Sequence, residues 1–296
     1  MKPVYDVPDT RECFNSHMTY WAIEPMWLLH AIEAYRAGEK IVASESGRPL
    51  YMVDDSGVAI VSIDGPMQKG VSKMGGTSTV QTRRALRNAA NDNAVNAIMI
   101  RVDSPGGTVA GNSDLVDEIN AAAGKKPLHA YIEDQCCSAA YWAASQASRI
   151  TANATALVGS IGTYIAVEDS SGAAEKAGIR TKVISSGGFK GMGTPGTPIT
   201  DEVVSEVQGI VNDMNDHFLQ GVKRGRKMGI EDVRKLADGR IHLSAKAQEL
   251  GLIDGVESFD RAMAGLRQAV KDSQPKTESR SRRARADVNI RLAEDS

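Results

Sequence analysis

Two hydrophobic rhythms alternate between residues 51 and 160: short apolar runs, and stretches with an apolar residue every three or four positions. Met52-Val53 and Val58-Ala59-Ile60-Val61-Ser62-Ile63 flank Asp55-Ser56-Gly57 and predict a hairpin. Residues 97–102 and 128–133 predict buried strands, and the spacing over 79–91 and 109–123 predicts helices beside them. Strand, helix, strand, helix in succession predicts an α/β fold of βαβ units. In such sheets, sites gather at the carboxyl ends of the strands. Residues 149–152 and 156–158 read as short β segments, 168–178 as a helix and 181–184 as a strand. Thr200-Asp201-Glu202 caps a long helix reaching about Arg224, and 230–237, 244–250 and 258–269 read as further helices. Two loops rich in glycine, 69–78 and 185–193, are expected to be mobile.

This pattern predicts three regions. Residues 1–50 form a leader with a short amphipathic helix over 25–38. Residues 51–270 form the α/β domain. Residues 271–296 form a polar tail, expected to be disordered, with a basic cluster at Arg280, Arg282, Arg283 and Arg285.

Charge narrows the classes of partner. The chain has 296 residues, 35 basic and 37 acidic, a balance that argues against nucleic acid as a partner except through the basic tail. Three cysteines, Cys136 and Cys137 adjacent, cannot build a disulfide framework, so a reducing compartment is expected. The sequence shows no signal-peptide core and no run near the roughly 18 apolar residues of a membrane span. A cytoplasmic protein without a membrane anchor is the expectation.

Candidate chemistry begins at Asp134-Gln135-Cys136-Cys137-Ser138-Ala139-Ala140-Tyr141-Trp142-Ala143-Ala144. An extended run enters this stretch and helical spacing leaves it, which puts one hydroxyl, Ser138, at a strand-to-helix turn. Such turns hold nucleophiles forward, and a helix N-terminus favours developing negative charge. A serine N-cap would give the same pattern without chemistry. A nucleophile needs a base. Of the five histidines, His17, His30, His129, His217 and His242, none lies between Ser138 and His217. His129 starts the strand that leads to Ser138, and so sits roughly 20–30 Å from its far end. Lys190, in Gly188-Phe189-Lys190-Gly191-Met192-Gly193, has no acid near it in sequence and is the better candidate. It would have to be desolvated to act near neutral pH. The thiols of Cys136 and Cys137 adjoin Ser138, so a cysteine nucleophile has to be weighed as well.

These motifs occur in a fixed order: Asp103-Ser104-Pro105-Gly106-Gly107, the Ser138 stretch, Gly159-Ser160-Ile161-Gly162, the Lys190 loop, Ala237-Asp238-Gly239-Arg240 and Ala247-Gln248-Glu249-Leu250-Gly251-Leu252-Ile253-Asp254. In that order, over roughly residues 55–260, the chain resembles the S49 peptidases. This is the signal peptide peptidase A family, with its phage-encoded head-maturation branch. The resemblance implies a ClpP/crotonase-like fold and a serine–lysine dyad, with Ser138 as nucleophile, Lys190 as general base and Ser160 orienting the amine. It implies an oxyanion hole from Gly106 or Gly107 with Ala139, no metal or cofactor, protein or peptide substrates, and a homo-oligomeric ring. Ala139-Ala140 stands where many members have Gly-Gly, and Trp142 replaces a frequent tyrosine. Tyr20-Trp21-Ala22-Ile23-Glu24-Pro25 resembles the phage branch, so the expected function is a phage or prophage endopeptidase acting on scaffold, portal or major capsid proteins. The alternatives are a soluble cellular peptidase that degrades peptides and a catalytically silent capsid-associated subunit.

Overall fold

The computed structural model describes residues 20–25, 50–70 and 76–273. The first half of the chain runs β1 (Trp21–Ile23), β2 (Met52–Val53), β3 (Val58–Asp64), β4 (Met67–Gln68), β5 (Thr77–Ser78), α1 (Thr79–Asn91), β6 (Ala97–Ser104), β7 (Gly106–Thr108) and α2 (Asn112–Ala123). Next come β8 (Leu128–Cys137), α3 (Ala139–Ala144), β9 (Arg149–Ala152), β10 (Leu157–Gly159), α4 (Ser171–Lys176) and α5 (Asp201–Arg226). The chain then forms α6 (Ile230–Leu236), β11 (Ile241–Leu243), α7 (Ser244–Glu249), β12 (Gly255–Val256) and α8 (Phe259–Ser273). Residues 26–49, with nearly all of the expected leader helix, lie outside the described residues, as does the tail from 274 with its basic cluster.

The larger sheet has the order β11-β10-β8-β6-β3-β2, and its centre, β10, β8, β6 and β3, is parallel. It is the α/β arrangement that the alternating pattern predicts. Side chains alternate across β6. Ile98, Ile100 and Val102 face a core shared with α1, α2 and α3, whereas Ala97 and Met99 face Met263, Leu266 and Val270 of α8. Both faces are covered, which is why residues 97–100 read as an unbroken apolar run. A smaller sheet of order β1-β7-β4-β5 sits at the end of β6, and the segment read as a leader supplies β1. Among the described residues, no helix is long and apolar enough to cross a membrane.

Three local expectations change. The strand expected over 128–133 continues to Cys137. Between Val102↔Ile132 and Ser104↔Cys136, β6 advances two residues and β8 four, so residues 133–135 bulge and hide the strand's last residues from the pattern. The helix expected over 168–178 is only Ser171–Lys176. The strand expected over 181–184 is absent. Val183 and Ile184 are exposed, Ile184 at 91%, and an apolar run without a sheet edge beside it has no ladder to join.

Candidate functional site

Strand β8 lies at the centre of the sheet and ends against β10, whose Gly159 pairs with Cys137. The next residue is Ser138. Its backbone takes φ 53° and ψ −117°, and its side chain makes no capping hydrogen bond to α3. An N-cap serine has extended backbone and accepts from the second or third helical N–H. Ser138 does neither, so the N-cap alternative fails. A non-glycine residue at positive φ costs about 1–3 kcal/mol and persists only where its surroundings impose it. Here the Ser138 N–H donates to Gly159 O at 2.8 Å, and its carbonyl accepts from Trp142 N at 2.9 Å. Its hydroxyl donates to Gly162 O at 3.4 Å, and the residue is 1% exposed.

The small residues that follow let α3 sink into the core, where every one of its residues is buried. Trp142 stacks on Phe218 of α5 at 5.0 Å. Gly221 and Gly225 bring α5 in close: a Cβ on either would lie 2.0 Å from Trp142 Nε1 or Ser145 O. The Asn112 amide of α2 donates to Ala139 O at 3.1 Å. The Ser138 turn is thus held by three helices and two strands.

Gly106, Gly107 and Ala139 all adjoin this turn. Gly106 has φ 101°, and a Cβ there would meet Ala22 O at 2.3 Å, Cys137 O at 2.8 Å and Ala139 N at 3.0 Å. No larger residue fits. The Gly106 N–H is already committed to Ser104 Oγ at 3.2 Å, which leaves the amides of Gly107 and Ala139 as the pair for an oxyanion. Ser160 follows β10 with φ 50°, is 5% exposed, and donates its N–H to Arg240 O at 2.7 Å. Of the three non-glycine residues at positive φ among the described residues, two are Ser138 and Ser160. A cavity of about 390 Å³, lined by Ile23, Ser160, Gly162, Tyr164 and Asn212 among others, opens beside them.

Lys190 is exposed and is not among the residues that line this cavity. It lies on an arm, residues 165–200, that is exposed almost throughout. The arm's two ends are tied to each other: Asp169 accepts from Ile199 N at 3.1 Å and Ser170 Oγ from Gly196 N at 2.9 Å. The Lys190 ammonium makes no hydrogen bond or ion pair among the described residues, and only its backbone N–H is bonded, to Gly187 O at 3.0 Å. Among the described residues no hydrogen bond joins Lys190 to Ser138, whose hydroxyl bonds Gly162 O instead.

The remaining candidates fall away on electrostatics. Burial, with the neighbouring Cys137, raises the Cys136 thiol well above its usual range, and burial followed by the charge of Glu24 pushes Cys137 up to about 12. Both are poor thiolates near neutrality. His129, buried at the start of β8, is lowered to about 4 by burial and then by Arg149, and its Nε2 meets Thr151 Oγ1 at 2.8 Å. It is a core residue. The sequence reading missed Gly162 and Tyr164 as wall residues, and it missed β1, which lies against them. Only the resemblance of residues 20–25 to one branch of a family set that segment apart.

Comparison with known proteins adds four findings. The family described as Peptidase family S49 matches residues 120–273. A protease of Methanocaldococcus jannaschii is 32% identical over 184 residues, 62% of this chain and 59% of that protein. Capsid assembly protease C of Escherichia phage lambda is 30% identical over 221 residues, 73% of this chain and 50% of that protein. The chain thus spans about half to three-fifths of the length of these relatives. Among solved structures, the ClpP protease catalytic domain from Plasmodium falciparum aligns with a TM-score of 0.42 and 14% identity, over 67% of this chain and 85% of that one.

Proposed function

Because the chain belongs to peptidase family S49, we propose that it is a serine endopeptidase in which Ser138 attacks the scissile carbonyl and Lys190 is the general base. The observation that carries this reading is the strained, uncapped Ser138, held beside the free amide of Ala139 at the carboxyl end of β8. Two amides aimed at the developing oxyanion typically supply several kcal/mol in the transition state. Ser160, at the mouth of the same cavity, positions the amine.

A neighbouring subunit supplies the base. Lys190 projects on an arm whose Val183, Ile184 and Phe189 are exposed, and a lysine becomes a base near neutral pH only where desolvation disfavours its charge. Docking the arm across a subunit interface buries these side chains and encloses the amine in one step. The assembly is a cyclic homo-oligomer. Mixing Ser138→Ala with Lys190→Ala subunits tests this. In a random mixture, about a quarter of the sites hold both native residues, and activity on a protein substrate returns to about that fraction. Zero recovery in verified mixed oligomers would place the base in the same chain.

The substrates in this reading are capsid-assembly proteins of a phage or prophage, met in the host cytoplasm. The relative in phage lambda, named a capsid assembly protease, supports it. Co-expression with scaffold, portal and major capsid proteins, followed by mass spectrometry of the fragments, tests it directly. The archaeal relative favours a second reading, a cellular peptidase acting on peptides. In that case the capsid proteins stay intact and short peptides are cleaved.

A further inference from the structure

We propose that the chain's first substrate is its own residues 20–24, and that it cuts itself between Ala22 and Ile23. This inference rests on the serine-peptidase reading of Ser138.

Strand β1 is three residues long and is an edge strand of the smaller sheet. It pairs antiparallel with β7, setting Trp21 opposite Thr108, Ala22 opposite Gly107 and Ile23 opposite Gly106. On its other side Trp21 exchanges both backbone hydrogen bonds with Tyr164, at 2.9 and 3.0 Å. The segment therefore lies as an extended peptide between the two walls of the site, the glycine strand and the loop that follows Ser160. Main-chain pairing on both sides is how a cleft grips a peptide whatever its sequence.

The register says which bond is presented. Glu24 N–H donates to Pro105 O at 2.8 Å, and Val109 N–H donates to Tyr20 O at 3.2 Å. Hydrogen-bonded pairs alternate along an antiparallel ladder, so Ala22 and Gly107 form the bonded pair between these two. The Ala22 carbonyl thereby receives the Gly107 N–H. It also lies against the face of Gly106, at the point where Cys137 O and Ala139 N converge. The carbonyl in the candidate oxyanion hole is that of Ala22.

Burial points the same way. With β1 seated, Ala22 is 0% exposed and Ser138 1%. A working nucleophile under such a cover requires the cover to leave, and a cover in a substrate's register leaves by being cut. Ile23, on the leaving side, already lines the cavity of about 390 Å³. In the step itself, Ser138 Oγ forms an ester with the Ala22 carbonyl carbon as its proton passes to Lys190 of a neighbouring copy. The Ala22–Ile23 C–N bond breaks, that proton goes to the Ile23 nitrogen, and water hydrolyses the ester. A small side chain before the cut and an apolar one after it are then the preference expected in other substrates.

The test uses the full-length oligomer, read by intact mass and N-terminal sequencing, with fluorescein-labelled casein as an independent substrate. Wild type is expected to accumulate a chain beginning at Ile23, and Ser138→Ala to retain its original N-terminus. Ala22→Trp, too large for the closed position, is expected to lose this cut by at least tenfold while cleaving casein within twofold of wild type. Casein cleavage by wild type with an intact N-terminus, or with cutting at another bond, overturns the inference and leaves the peptidase reading standing. Cleavage of neither substrate overturns both.

Discussion

The turn at Ser138 and the arm that carries Lys190 are built on opposite terms. Ser138 lies under 2% exposure, with its backbone N–H and carbonyl both bonded and the fully buried helix α3 following it. The arm from 165 to 200 is almost wholly exposed, is tied to itself at its base, and leaves Ile184 91% exposed. One half of the candidate chemistry is buried and bonded within a chain, whereas the other presents apolar surface to solvent and, among the described residues, has no partner for its charge. A strained backbone such as that of Ser138 can be maintained only in the first setting. The base proposed for a neighbouring subunit's site requires the second. In the proposed dyad, that difference puts the boundary of the working unit outside the single chain.

The largest effect expected separates function from folding in the two halves. Ser138→Ala and Lys190→Ala should each lower proteolysis by at least about 1000-fold, with circular dichroism and thermal melting unchanged for the exposed Lys190 variant. Substantial activity in either variant removes that residue from the mechanism. Cys136→Ser/Cys137→Ser should keep most of the activity, since both thiols are raised out of the reactive range.

The next largest effect is the pH dependence of the rigid half. His129 is depressed to about 4 in the folded chain, against an ordinary value near 6.5. Unfolding therefore takes up a proton between those values, and stability falls as pH drops through 6.5 and levels off near 4. The loss should be on the order of 3 kcal/mol, measured by urea melts across that range. His129→Gln should flatten the curve. An unchanged curve would assign the acid sensitivity to other groups.

Glycine substitutions sharpen the contrast further. A Cβ at Gly221 lies 2.0 Å from the Trp142 indole, so Gly221→Ala should destabilise by about 1–3 kcal/mol. A Cβ at Gly188, on the arm, meets nothing within 4 Å, and Gly188→Ala should change stability by less than about 0.5 kcal/mol. Equal effects at the two positions would mean that the arm is packed. The smallest effect concerns association. Ile184→Ser should leave the thermal melt of dilute protein unchanged yet weaken assembly about tenfold, the burial of part of one aliphatic side chain. Sedimentation and activity over a shared dilution series would show it. No change in either would take Ile184 out of the interface.

Local order was legible in the sequence to the extent that it depends on neighbours in the chain. Residues 79–91 were readable as a helix from their spacing, and the structure gives Thr79–Asn91. Thr200 was readable as a cap, and its hydroxyl accepts from Val203 N. Residues 149–152 formed the strand expected of them. The motif order likewise picked out Ser138, Ser160, Gly106, Gly107 and Ala139, which the fold gathers at one end of β8. Contacts between distant residues decided the rest. The bulge at 133–135 exists because β6 and β8 fall out of step, and no pattern within either strand encodes that. The run at 181–184 has strand composition but pairs with no strand among the described residues. Residues 21–23 carry too few side chains to announce a strand. Their conformation comes from two backbones, at Gly107 and Tyr164, that the fold brings to either side of them, and main-chain hydrogen bonds of that kind leave no mark on the sequence of the segment they hold.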